Sequence, residues 1–478
     1  MMEDRKTEES LELEENIERI DSLGHEKISK LIVRYAIPTI VSMVVNAIYN
    51  MTDQVMIGWS DIGMLGIGAT TVSFPITTVM TALSLMLSVG CASNFNLSLG
   101  RGDKEKAGRV AGNAISLGII IGLSLFTISM IFLKPLLILF GTTDSIMPYA
   151  IDYTRIIIYG LPFGIISAIL TQLIRADGNP RYSMVCLLTG ALFNLIFDPV
   201  VLFIMDMGVK GIALTTSIGM VISASMGALY FVKSFRSVKL VKSYFVIKFE
   251  YIRAIFSLGV ASFFNQLAMT VMQIVMNNTL RVYGAISVYG SDTAIACVGS
   301  INKLSMVFFS FIIGIGQGCQ PIMGFNYGAR NYERVKETFK KALMSAFTIS
   351  AVMFLIYQFL PRQLLMFYGK NPESFFEFGT KYLRLYMVMT FLNFVQPITV
   401  GFLTSIGKGR KGLFISMTRQ IIFLIPLLLI LPRFFGIEGV FYAGPVSDCM
   451  AVAVALMLII HEMKDLSKLK SELEIRTT

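Results

Sequence analysis

The 478-residue chain has few histidines and cysteines, and both scarcities limit the chemistry open to it. Its two histidines, His25 and His461, lie near the ends of the sequence, which excludes a histidine–carboxylate catalytic pair or a histidine metal site within an apolar segment. The five cysteines are scattered without a C-x-x-C spacing, which favours packing over disulfide or zinc roles. No G-x-x-x-x-G-K-[ST] phosphate loop occurs, so we expect no ATP-driven motor.

Charged residues are also scarce, at 15% of the chain, whereas hydrophobic residues make up 54%. A water-soluble protein of this length could not hide so much apolar surface. Apolar windows of about 20 residues, the length that spans a bilayer, recur along the chain, and we count about twelve. The sequence therefore predicts an all-α integral membrane protein. The predicted spans are 32–58, 66–92, 108–133, 149–173, 182–205, 209–232, 252–280, 293–319, 335–360, 377–404, 413–432 and 438–461.

The chain repeats itself at an interval of about 228 residues. The stretch "LGRGDKEKA" from Leu99 aligns with "YGARNYERV" from Tyr327, "LFGTTDS" aligns with "FYGKNPE", and "MGVKGIAL" aligns with "FGIEGVFY". Three turn motifs in one order predict two pseudo-symmetric six-helix bundles with a cavity between them. The predicted units are an N-terminal tail 1–30, an N-lobe 31–233, a basic inter-lobe loop 234–250, a C-lobe 251–462 and a C-terminal tail 463–478.

Basic residues concentrate in every second joint between predicted spans and beside the first and last spans. About 28 of the 41 lysines and arginines lie there, as in "GRGDKEKAGR" and "KGRK". Such an excess marks cytoplasmic loops, so we expect a multi-pass protein of the cell (plasma) membrane with both termini in the cytoplasm. The net charge of +10 is then a topology signal and not a nucleic-acid-binding surface. The polar, acidic first 26 residues are expected to be a cytoplasmic tail and not a cleavable signal peptide.

One carboxylate lies well inside the first predicted span, where a charge at the bilayer centre costs about 2.5–3.5 kcal/mol. This residue, Asp53, shares a helical stripe with Asn46, Tyr49 and Asn50, because the four are spaced at three, four or seven residues. Pro38, earlier in the same span, predicts a kink.

A second carboxylate lies in "FNLIFDPVVLF", residues 193–203. Asn194 and Asp198 are four residues apart and share a helix face, while Pro199 cannot donate to the preceding turn and loosens the helix. These oxygens suit a proton or a sodium ion, and a hydroxyl of Thr215 or Thr216 could join them. If Asp53 and Asp198 meet in the interior, their like charges increase the affinity for a cation. The alternative is that Asp198 caps a broken helix and Asp53 lies near a membrane surface.

Other charged residues allow weaker interpretations. Lys303 is expected either to face the central cavity or to extend its amine to the membrane surface. Arg419 is interpreted as structural, paired with backbone carbonyls or lipid phosphate. The 29 methionines and 36 phenylalanines are mostly packing residues, although a cavity lined by them tolerates varied apolar ligands.

Five motifs occur in a fixed order across about residues 30–462: "TDQVMIG", "IRADGNPR", "NLIFDPV", "GIALTTS" and "SMTRQIIFLIPLLLILPRFFGIEGV". Together they resemble the multidrug and toxic compound extrusion (MATE) transporters, in particular their MepA-like and DinF-like bacterial members. This resemblance implies a V-shaped pair of six-helix lobes. It implies export of cationic, amphipathic drugs in exchange for H⁺ or Na⁺, with no cofactor beyond that ion. We expect a monomer with drugs and membrane lipids as its partners, no nucleic acid, and no enzymatic activity.

The resemblance also assigns residues. It implies a coupling site at Asp53, Asn194, Asp198 and Thr216, which would also be the ligands of a Na⁺ ion, and helix bending at Pro38. Pro199, which cannot donate to the preceding turn, is expected to be a second bending point. The expected substrate cavity is lined by Asn46, Tyr49, Asn50, Asn265, Gln266 and Lys303.

In one respect the sequence departs from another branch of the family, in which acids on the seventh and tenth helices form a carboxy-lobe cation site. In this sequence Asn265 stands at the position of the first acid. The position of the second acid lies within "LNFVQPITV", which contains Asn393 and Gln396 but no acidic residue. We therefore expect coupling to reside in the first half of the chain.

Two rival functions remain. A flippase of lipid-linked saccharides, from the same broad superfamily, predicts a cavity rich in arginine and lysine to hold pyrophosphate. A membrane-embedded prenyl- or acyltransferase needs a DDxxD magnesium cluster, which the sequence lacks, or an H-x-x-x-D pair, whose only match, His461 and Asp465, lies at the end of the last predicted span.

Overall fold

The fold comes from a computed structural model that describes residues 22–60, 63–140, 142, 144–235, 237–239, 241–367 and 372–477. Within these ranges the chain forms helices joined by short turns, and the predicted tail before residue 22 lies outside them. The α-helices of the first half are α1 (Ile28–Trp59), α2 (Gly63–Gly100), α3 (Lys104–Ile131), α4 (Leu133–Leu139), α5 (Met147–Ala176), α6 (Pro180–Pro199) and α7 (Gly208–Lys233). Those of the second half are α8 (Phe249–Ala285), α9 (Ser291–Gly328), α10 (Tyr332–Phe359), α11 (Pro361–Met366), α12 (Glu373–Leu385), α13 (Val395–Ser405), α14 (Gly409–Met417), α15 (Ile425–Phe435) and α16 (Glu438–Thr477).

Eleven helices of the described residues are long and apolar enough to cross a membrane, and a bent pair makes a twelfth span. The prediction of an all-α membrane protein with twelve spans is therefore confirmed. The predicted span 377–404 is not one straight helix, because α12 and the segment 390–405 meet at 42°. Pro397 has no N–H for the carbonyl of Asn393, so a regular helix cannot run through this point with its hydrogen bonds intact.

Two spans at corresponding places in the repeat contain a π-helical segment. In the first half, Val200–Ile204 follows Pro199 at the end of α6, where the sequence predicts a loosened helix. In the second half, Thr418–Leu424 joins α14 to α15. Such wide turns leave backbone groups and side chains in unusual positions and often occur at functional sites.

The chain joining the two halves is held against the first of them. Asn113 on α3 donates its amide to the carbonyls of Tyr244 (3.0 Å) and Val246 (3.2 Å), and its oxygen accepts from the N–H of Lys248 (2.8 Å). The predicted C-terminal tail 463–478 continues α16 as far as Thr477. The inter-lobe segment therefore packs against α3, and the predicted C-terminal tail is part of a helix.

Within the described residues, the two halves pack closely at one end and not at the other. There α2 meets α8, and a Cβ built on Gly259 would lie 1.8 Å from the carbonyl oxygen of Met86. Ala36 on α1 likewise touches Gly318 on α9. At the opposite end each apolar cluster of described residues belongs to one half, so that the cluster containing Ala69, Leu137 and Ile157 is separate from the cluster containing Leu280, Ile301 and Phe378. We call the packed end the closed end; the lobes diverge from it as a V.

We expect Gly259→Ala to force the lobes apart at the closed end, because an added methyl group cannot occupy the space of a backbone carbonyl. Overpacking of this kind costs about 1–3 kcal/mol, enough to shift a conformational equilibrium. The measurement is the spin–spin distance between labels on the exposed Lys104 and Arg330, in a background where the exposed Cys449 is replaced by serine. The control is Gly299→Ala, whose added Cβ meets nothing within 4 Å. An unchanged distance in Gly259→Ala would contradict the close-packing argument.

Candidate functional site

Two carboxyl groups meet inside the first half. Asp53, near the end of α1, and Asp198, near the end of α6, lie within hydrogen-bonding reach of each other. Asp198 is fully buried, and Thr215 on α7 donates its hydroxyl to Asp198 Oδ1. Two carboxylates this close repel each other unless a proton or a cation lies between them. The arrangement differs from the alternative in which Asp198 caps a helix and Asp53 faces a membrane surface.

Three oxygens of this cluster are buried and have no hydrogen-bond partner among the described residues. They are Asp53 Oδ1, Asp198 Oδ2 and Asn194 Oδ1. A buried acceptor without a partner costs about 1–3 kcal/mol, so three in one cluster indicate that something else occupies their lone pairs. Carboxylate and amide oxygens are the ligands of hard cations, and the same pair of carboxyls can hold a proton. The residues present therefore fit H⁺ or Na⁺.

The neighbouring threonines have different partners. Thr215, and not Thr216, bonds to Asp198, whereas the Thr216 hydroxyl lies 3.4 Å from the Tyr49 hydroxyl. Successive residues of a helix point about 100° apart, so only one of the two can face a given carboxylate. The Tyr49 hydroxyl also lies within hydrogen-bonding reach of Asp53, so Thr216 contacts the cluster indirectly.

One residue of the cluster was missed by sequence reasoning. Tyr153 on α5 lies close enough to Asp53 and Asp198 to interact with both electrostatically. It is one of three tyrosines in the predicted span 149–173, and nothing in the sequence distinguishes it from Tyr149 or Tyr159. Its part in the cluster depends on how α5 packs against α7.

A close helix contact brings α6 and α7 together beside the carboxyls. A Cβ built on Gly219 would lie 3.0 Å from both the Asn194 Nδ2 atom and the Gly190 carbonyl oxygen. The backbones can therefore approach closely, which carries Asn194 and Asp198 of α6 against Thr215 of α7. A larger residue at this position would separate the acceptors from the hydroxyl donor.

A cavity between the halves contains part of the expected substrate site. Asn265 and Gln266 line it, with further walls from α2, α9 and α13. Tyr49 belongs to the carboxyl cluster and does not line this cavity. Asn46 on α1 and Lys303 on α9 are exposed, and neither lines the cavity. The side chain of Asn50 lies outside the described residues. The full set of lining residues is Leu85, Val89, Ser262, Asn265, Gln266, Met269, Phe309, Ile313, Gly316, Gln317, Gln320, Asn393, Gln396, Pro397, Val400, Gly401, Thr404, Arg419 and Gln420.

Arg419, at the edge of this cavity, has a carboxylate partner. Its Nε atom lies 2.5 Å from Asp448 Oδ1, and Asp448 is only 2% exposed. The interpretation of Arg419 as paired with carbonyls or lipid phosphate was wrong, because it did not consider an acid on the last span. The signal was present in the sequence: Asp448 is an isolated acid within the predicted span 438–461.

A site for a multivalent metal finds no support in the described part of the chain. There, no group of three or more histidine, cysteine, aspartate and glutamate side chains could hold a metal ion.

Comparison with known proteins identifies relatives along most of the chain. The MatE family model matches residues 38–200 and 260–430, which together are more than half of the sequence. The multidrug export protein MepA of Staphylococcus aureus is 26% identical over 440 residues, which are 91% of this chain and 94% of that protein. MepA of Staphylococcus haemolyticus is 25% identical over 432 residues, which are 90% and 93% of the two chains.

Solved structures agree with the fold. An outward-facing multidrug resistance MATE family transporter of the MOP superfamily superposes with a TM-score of 0.87 at 23% identity, covering 94% of this chain and 98% of that one. A MOP superfamily transporter from Pyrococcus furiosus gives a TM-score of 0.86 at 22% identity, covering 93% and 98%.

Proposed function

Because this chain belongs to the MatE family of multidrug efflux transporters, we propose that it exports cationic, amphipathic small molecules across the cell membrane in exchange for H⁺ or Na⁺. The observation that carries the proposal is the buried pair Asp53 and Asp198, with its three unpartnered oxygens. A site of this kind binds a positive charge well in a low-dielectric interior, and a charge already bound there weakens the attraction for a second one. The coupling ion and the drug therefore compete, which is the basis of exchange.

The first helix connects the carboxyls to the lobe interface. Its early residues Leu31 and Tyr35 belong to an apolar cluster made mainly of second-half residues, whereas Asp53 lies in the first half. Pro38 lies between them and cannot donate to the carbonyl of Arg34, so α1 is weakened there. We infer that a change of charge at Asp53 bends α1 at Pro38.

Exchange then proceeds in two steps. With the lobes apart at the open end, a proton or Na⁺ binds at Asp53 and Asp198 and cancels part of their negative charge, which weakens the attraction for a cationic drug. The polar stripe of α1 withdraws from the cavity and the drug leaves. When the closed end opens instead, the ion dissociates to the cytoplasm and a new drug molecule enters. Alternating access of this kind needs only rocking of two lobes about a fixed site.

The expected orientation follows from charge. Basic segments such as "GRGDKEKAGR" and "KGRK" lie at the closed end, which supports a cytoplasmic position for that end and for both termini. The described conformation is then outward-facing. We propose that the protein works as a monomer in contact with membrane lipids and needs no cofactor besides the coupling ion.

A flippase of lipid-linked saccharides is not favoured. The only basic side chain that lines the described cavity is Arg419, and its charge is balanced by Asp448. A pyrophosphate group carries several negative charges and needs several unpaired cationic partners.

The test is transport in proteoliposomes under separately imposed gradients. We expect a pH gradient or a sodium gradient, applied alone, to drive ethidium against its concentration difference, because the carboxyl pair exchanges the ion for the drug. Ethidium fluorescence reports the movement, and protein-free vesicles give the leak. Movement that responds to neither gradient would contradict the exchange mechanism.

A further inference from the structure

A second group of unsatisfied polar atoms lies in the second half, on the wall of the central cavity. Asn393 Oδ1, Thr404 Oγ1 and Gln420 Oε1 are buried, and none has a hydrogen-bond partner in the described ranges. The three side chains are 6%, 1% and 3% exposed, and all three line the cavity. We propose that they form a ligand site for a nitrogen group that donates hydrogen bonds, an amine or amide N–H, carried on an aromatic or apolar body.

The orientation of Asn393 is determined by its neighbour. Its side chain is hydrogen-bonded to the carboxylate of Asp448, which can only accept, so the amide nitrogen must face Asp448. The amide oxygen is then the end left for a ligand. The opposite assignment would set an oxygen against an oxygen.

The same acid balances the charge of the site. Asp448 is paired with Arg419, so the two contribute no net charge to the cavity wall. An anionic group gains little from a guanidinium that is already paired, and a cation finds no free carboxylate here. Asn393, Thr404 and Gln420 contribute neutral oxygen acceptors, which favour N–H donors regardless of the ligand's charge.

Local backbone geometry puts two consecutive residues of the second half on the cavity wall. Arg419 and Gln420 are consecutive residues of the π-helical segment Thr418–Leu424, and both line the cavity. The side-chain amide of Gln396 on α13 donates a hydrogen bond of 2.6 Å to the carbonyl of Ile415 on α14, which holds α13 against the helix that precedes the π-helical segment. The apolar part of a ligand would meet walls such as Phe309 and Val400.

The two halves of the protein therefore respond to different properties of an exported molecule. The carboxyls Asp53 and Asp198 respond to its charge, and the second-half oxygens respond to its N–H groups. The inference rests on the proposed function only in taking export substrates as the ligands. Its test uses equilibrium binding without any ion gradient, so a failure of coupled transport does not decide it.

The experiment compares two monocationic probes by calorimetry on the purified protein in nanodiscs. Ethidium carries two primary aromatic amines, whereas tetraphenylphosphonium has no hydrogen-bond donor. The variants are Thr404→Val and Gln420→Met, which keep the side-chain size and remove one acceptor each. We expect each to weaken ethidium binding about five- to tenfold, the loss of one hydrogen bond, and to leave tetraphenylphosphonium binding unchanged.

The matched control is Thr348→Val, because Thr348 is exposed on α10 of the same half and bonds only to its own helix, at the carbonyl of Met344. It should alter neither probe. Thermal melting of each variant confirms folding, and the glutamine variant keeps the test informative if Thr404→Val does not fold. Equal weakening of both probes, or no change in ethidium binding, would overturn the proposal.

Discussion

Replacing Asp198 with asparagine is expected to abolish gradient-driven ethidium transport, to the level of protein-free vesicles. Asparagine keeps the shape of the side chain and still accepts from the Thr215 hydroxyl, so the fold should persist. It carries no negative charge, so the pair with Asp53 loses half of its attraction for a cation. A unit charge about 4 Å away is worth about 4 kcal/mol at an effective dielectric of 20, which is roughly a thousandfold in affinity, so transport should fall to the leak level.

The control for this substitution is Asp206→Asn. Asp206 is exposed, lies eight positions further along the chain, and has a φ of 49°, which asparagine tolerates well. This variant should transport ethidium as the unmodified protein does. The initial rate of transport under the effective gradient is the measurement, with reconstituted protein quantified in each preparation. Undiminished transport by Asp198→Asn would exclude this carboxylate from coupling.

The second large effect is expected on stability. Asp448→Ala removes the carboxylate from Arg419 and leaves a cation in the interior of the second half with no acidic partner. Breaking a buried ion pair from one side costs about 3–5 kcal/mol, because the remaining charge keeps its desolvation penalty. We expect a clear drop in the free energy of unfolding, seen as a lower melting temperature in detergent.

The double variant Arg419→Met with Asp448→Leu separates charge from packing. Replacing both partners by apolar side chains of similar volume is often neutral or stabilising, so the melting temperature should recover most of the loss. If the double variant melts no higher than Asp448→Ala, the damage comes from lost packing or from the bond to Asn393. The ion pair would then not be the reason for the loss.

The two acidic residues of the first half could be found from the sequence because their signal is local. Asp53 and Asp198 stand out in apolar segments, where a carboxylate is too unfavourable to be incidental. The same principle applies to Asp448, which the sequence also displays as an isolated acid in a span. The pairing of Asp448 with Arg419 could not be predicted from a local signal, because Arg419 lies in a different span.

The sequence by itself determined the all-helical membrane architecture, the twelve spans and their two-fold repeat, because hydropathy and turn residues act over short stretches of chain. Tertiary structure alone decided which side chains meet. It chose Thr215 over Thr216 as the donor to Asp198, brought Tyr153 to the carboxyls, and divided the predicted tenth span at 42°. Each of these depends on the rotation of one helix against another, and a rotation of half a turn leaves the hydropathy of a helix unchanged while it exchanges every partner.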